Sequence, residues 1–182
     1  EEVDFPTDFA RPREFDYIGK EYTYNLDANL ITKLKELAQR ENTSLFSVTL
    51  SAFMILLSIY SNQKNVVVGT PIANRHIKGT EDLIGFFVNT LALNAKVDPE
   101  LKINEFISLN SEQVINAQKY QDLPFENIVN ELNVSAGLSK NPIFQIMFGF
   151  QDVSDVLAYD DVYYEINEAL DLNSTKFDFS MM

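Results

Sequence analysis

Four side chains in this sequence pair a recognising or reactive group with an unusual placement: Arg75, His76, Asn89 and Gln145. Arg75 closes a stretch, VVVGTPIANR, in which a valine run gives way to Gly-Thr-Pro, and its planar fork is suited to clamping a carboxylate. His76 is the only histidine. A catalytic triad through it is conceivable, but no sequence feature points to its serine or aspartate. In a polar loop it reads first as a surface residue. Asn89 lies within an apolar segment, where an unpaired amide costs about 1–3 kcal/mol, and Gln145 alternates with core-facing aromatics. Both demand hydrogen-bond partners, with neighbouring backbone the ordinary source.

Other chemistries are excluded by residue type. There is no cysteine, which removes disulfides, thiolate metal sites and cysteine nucleophiles. One histidine cannot build a histidine-paired zinc site, so no metal is expected. The chain has no Gly-x-Ser-x-Gly elbow, dinucleotide fingerprint or phosphate-cradling loop. No pair of carboxylates sits on an apolar segment where burial would split their titration.

The elements that position these residues follow from periodicity. Residues 1–20 read as an arm, held extended by Pro6 and Pro12. Tyr22, Tyr24 and Leu26 alternate with polar residues and predict a strand. Asp27 can cap a helix with a stripe of Leu30, Ile31, Leu34, Leu37 and Ala38. Thr43 or Ser44 can cap a second, from about Leu45 to Tyr60, apolar nearly all round and so placed between a sheet and other helices. Val66–Val68 predicts a strand buried on both faces, and Phe86–Leu93 a second strand. Asn104 can cap a third helix carrying Phe106, Ile107, Val114 and Ala117. Leu123-Pro124 restarts helix, with proline in its first turn. Phe144 to Gln151 is the plainest alternating strand, followed by Val162–Ile166 and Phe177–Met181. Helices interspersed among five or six strands predict a mixed sheet covered by helices. The last strand runs to the final residue, which reads as a chain cut from something longer.

The chain has 182 residues, 46% apolar, with a formal net charge of −13. That suits one soluble domain. The acidic balance argues against nucleic acid and anionic membranes as partners, and its excess near the C-terminus reads as a solvated face. The most apolar segment is too short and too interrupted by hydroxyls to span a bilayer. With no cysteine and no N-terminal signal pattern, a cytoplasmic protein is the expectation.

Four segments resemble, in order, those of the C-terminal lobe of a condensation domain from a non-ribosomal peptide synthetase. They are VVVGTPIANR (66–75), IGFFVNTLAL (84–93), YQDLPFE (120–126) and NPIFQIMF (141–148); PTDFARPR (6–13) is similar to the stretch joining that family's two lobes. Tyr120 stands where the family usually has His, and Asn94 where Arg is common. The family's His-His-x-x-x-Asp-Gly motif is absent from this chain.

The resemblance implies an α/β (α+β) fold, a two-layer αβ sandwich with a mixed sheet, as one lobe of a chloramphenicol-acetyltransferase-like acyltransferase. Residues 1–20 would be the inter-lobe linker arm and 21–182 the lobe. It implies peptide-bond formation between thioesters delivered on the phosphopantetheine arms of upstream and downstream carrier proteins, in a synthetase that includes an adenylation domain, with no directly bound cofactor. This chain alone would be inactive, its catalytic histidine lying in the N-terminal lobe. The resemblance gives Arg75 a bridge to the Asp of that missing motif. It places Asn89 beside the tunnel between the lobes, with a structural role as the other reading. Gly69, Pro71, Gly85, Thr90, Gln121, Asp122, Pro124, Phe125, Glu126, Asn141, Pro142 and Gln145 would shape the motif segments. An epimerisation or heterocyclisation lobe and a non-catalytic carrier-docking module are the competing functions. A lobe shaped against another should expose a large apolar patch.

Overall fold

A computed structural model describes residues 3–80, 82–134, 137–151 and 173–182. In chain order these form α1 (Ala28–Arg40), α2 (Leu45–Ser61), β1 (Asn65–Ile72), β2 (Asn89–Lys96), α3 (Ile103–Gln118), α4 (Phe125–Glu131), β3 (Ile146–Phe148) and β4 (Phe179–Met181). The sheet order is β2-β1-β3-β4, with β1 antiparallel to β2 and parallel to β3, and β3 parallel to β4. This is the mixed sheet with covering helices that the pattern predicts. Among the described residues no single helix is long and apolar enough to cross a membrane.

The helices begin where local chemistry directs. Asp27 accepts from the amides of Asn29 and Leu30, and Ser44, rather than Thr43, accepts from Ser47. Leu50, Met54 and Leu57 of α2 interlock with Val66 and Val68 of β1, Leu91, Leu93 and Ala95 of β2, Phe106 and Val114 of α3, and Ile146 and Phe148 of β3. A polar joint crosses this core: Asn110 of α3 donates to Ser51 Oγ of α2 at 3.1 Å, and both residues are buried. α1 lies outside α2 and closes a smaller cluster of Ala38, Val48 and Ile107.

Several expectations shift. α3 starts from Lys102, not Asn104, because Glu105 reaches back to the Lys102 amide at 3.1 Å. Pro124 is the residue before α4 and not within its first turn. The second strand begins at Asn89 and runs to Lys96, because Gly85–Val88 are drawn into a loop instead of the ladder. β1 is buried on one face, whereas Val67 on the other is only half-buried. β3 keeps three residues of the longer strand predicted; Ile143 has φ 70° and the Phe144 amide turns back to the Pro142 carbonyl. Tyr22, Tyr24 and Leu26 are exposed and form no strand among the described residues; alternation without a neighbouring ladder is not enough. Val162–Ile166 lie outside the described residues.

Candidate functional site

The four motif segments meet at one end of the sheet and close a circuit. Pro71 and Ile72 of β1 lie opposite Thr90 and Asn89 of β2. From the start of β2, the Asn89 side chain reaches the turn between α3 and α4. Its Nδ2 donates to the carbonyls of Gln121 and Leu123, both at 2.8 Å, and its Oδ1 accepts from the Phe125 amide at 3.2 Å. Pro124 offers no capping side chain, so Asn89 supplies the cap of α4 from another element. Phe125 then packs against Phe144, ring centroids 5.3 Å apart, and Phe144 against Phe177 at 5.8 Å. The Phe144 ring rests on Gly69, where any Cβ would overlap it, and Gly69 pairs with Met147 of β3. The circuit returns to β1.

The loop between β1 and β2 is held by Arg75. Its guanidinium donates to the carbonyls of Thr80, Leu83 and Gly85, the last two at 2.8 and 3.3 Å, and lies 4.3 Å from the centre of the Phe87 ring. Asn74, at φ 53°, makes the left-handed step that brings the chain into this loop. Closing it pushes apolar side chains outward: Ile84 is fully exposed and Phe86 92% exposed, flanked by Leu83 and Val88. Tyr120 and Leu123, on the turn that Asn89 holds, are exposed apolar side chains as well. Exposed apolar patches of this kind often serve as contact surfaces.

His76 lies on the surface, as its setting predicts, with Nε2 3.3 Å from Asp122 Oδ1. That contact is a second link between the Arg75 loop and the α3–α4 turn, and the sequence offers no sign of it: the partners are far apart and neither lies in an apolar stretch. Gln145 donates to the Asn141 carbonyl at 3.0 Å, and Asn141 donates to the Lys176 carbonyl at 2.7 Å. Both amides therefore brace the approach to β3 and β4. Glu126 occupies the first turn of α4. Phe177 lies just ahead of β4 and is the third ring of the Phe144 cluster. The site can present a shaped apolar face and a fixed loop. Among the described residues no group of three or more His, Asp or Glu side chains could hold a metal ion.

Comparison with known proteins gives this arrangement a family. The condensation-domain family model matches residues 1–181, and the chain belongs to that family. It is 41% identical over 155 residues to N-(5-amino-5-carboxypentanoyl)-L-cysteinyl-D-valine synthase of Amycolatopsis lactamdurans, covering 85% of this chain and 4% of that protein. It is 37% identical over 184 residues to tyrocidine synthase 2 of Brevibacillus parabrevis, covering 98% of this chain and 5% of that one. The chain thus spans a small fraction of the length of these relatives. Among solved structures, a four-domain nonribosomal peptide synthetase bound to AMP and glycine superposes with a TM-score of 0.78 at 27% identity, over 85% of this chain and 11% of that one. The X-domain from teicoplanin biosynthesis shares the fold, with a TM-score of 0.76 at 24% identity over 81% of this chain and 33% of the other.

Proposed function

We propose that this chain is the C-terminal lobe of a condensation domain that joins a carrier-bound acyl or peptidyl thioester to a carrier-bound aminoacyl thioester. The acceptor amine attacks the donor carbonyl carbon. The new C–N bond forms as the C–S bond breaks, the donor arm leaves as thiol, and the amine proton passes to a base. That base belongs to the other lobe. The observation that carries the reading is the circuit of four motif segments ending in an apolar rim, which suits one wall of a shared site. Phosphopantetheine arms of the carrier proteins would bring the substrates, and an adenylation domain would supply the activated amino acid.

In this reading Arg75 and Asn89 work by holding shape. Arg75 fixes the loop that carries the apolar rim, and any bridge to an aspartate of the other lobe would share the same guanidinium. Asn89 sets the α3–α4 turn against β2. The test is a condensation assay with carrier-loaded substrates, comparing the intact two-lobed domain with this lobe alone. Product from the first and none from the second is expected. An intact domain that binds loaded carriers without forming product would overturn the reading in favour of a docking module.

A further inference from the structure

Residues 3–19 do not behave as a free linker. Val3 is buried in the main core, and Phe5 stacks on Tyr60 of α2 and Phe179 of β4 at 5.9 and 6.3 Å. The Asp4 amide donates to Gln63 Oε1. Further along, the Phe15 amide donates to the Leu138 carbonyl at 3.1 Å, the Gly19 amide to Asn173 at 3.1 Å, and the Thr175 amide to Tyr17 at 2.9 Å. Midway sits Arg11. Its fork donates to both carboxylate oxygens of Asp178, with Nη1–Oδ1 at 2.9 Å, while Nη1 also reaches the Ser139 carbonyl at 2.9 Å.

We infer that residues 3–19 are a folded strap of this lobe, buckled by the Arg11–Asp178 pair. The two side chains are 30% and 27% exposed, so water screens the pair less than an open surface bridge, and the two-pronged geometry adds direction. Its position gives it leverage. Asp178 directly precedes β4, and its amide donates to the Gln145 carbonyl at 2.9 Å. Undoing the buckle therefore loosens the strap on one side and the entry to β4 on the other. The strap also walls a cavity of about 160 Å³ against residues 175–178, which opens with it. Bending between this lobe and any preceding one is then taken up ahead of Val3, not along the strap.

Hydrogen exchange on the full-length protein tests the strap through three amides that cross it: Phe15, Gly19 and Thr175. In the wild type all three should be protected, since each amide is hydrogen-bonded across the strap. R11A and D178A should speed exchange at all three together by about tenfold or more, leaving the β1–β2 amides slow. The charge swap R11D/D178R should restore protection, which separates loss of the buckle from general unfolding. Free exchange at these amides in the wild type would overturn the inference, as would unchanged exchange in R11A or a charge swap that restores nothing.

Discussion

The ring of Phe144 lies directly on the backbone of Gly69, leaving no room for a side chain. That contact joins the glycine of one motif segment to the aromatic of another, 75 residues on, and it explains a glycine in the middle of a strand where glycine is otherwise unfavourable. Converting Gly69 to Ala should destabilise the lobe by about 1–3 kcal/mol through overpacking. Removing the ring first, with F144A, should make the second change nearly neutral. Denaturant melts of the four proteins in that cycle give the answer; a G69A melt matching wild type would show that the ring can move aside.

Asn89 should resist even its closest substitute. Alanine strands the Phe125 amide and two carbonyls, at about 1–3 kcal/mol. Aspartate keeps the acceptor and loses both donors, so N89D should lie near N89A and not near wild type. Exchange at the Phe125 amide should quicken in both. Wild-type stability in N89D would mean that the donors to Gln121 and Leu123 contribute little.

For Arg75, charge alone should not suffice. Lysine cannot reproduce the fork on three carbonyls or the stacking on Phe87. In an intact condensation domain, R75A should lower turnover about a hundredfold through misplacement of the loop, with R75K recovering little of it. Unchanged turnover of R75A in the carrier-loaded assay would remove any role for the side chain.

Replacing Ile84 and Phe86 by serine removes exposed side chains with no packing to lose. Stability of the lobe should change by less than about 0.5 kcal/mol. Association with a separately produced N-terminal lobe should weaken clearly in sedimentation. Loss of the melting transition in I84S/F86S would instead place those side chains inside this lobe's own core.

What the sequence made legible was local or repeated. Asp27 and the apolar girth of Leu45–Tyr60 act within a turn or two, and their helices start where those residues direct. Val66 and Val68 mark a strand for the same reason, though Val67 on its other face is only half-buried. The order of the motif segments could be read as well. How they touch could not. Asn89 capping a helix 36 residues away leaves no periodic trace, because the cap is supplied by another element. Phe86–Val88 have the composition of strand residues, yet the structure places them in the loop that Arg75 grips through hydrogen bonds and the Phe87 ring. Lysine carries no capping signal of its own at position 102, because the working contact there is the Glu105 carboxylate on its amide.

The loop gripped by Arg75 has a thermodynamic consequence. Its guanidinium is satisfied by carbonyls five to ten residues along the same chain, so the contacts that hold this loop are its own and need no cover over Ile84 and Phe86. A covering surface meets a rigid ridge, and little conformational entropy is left to lose when the two come together.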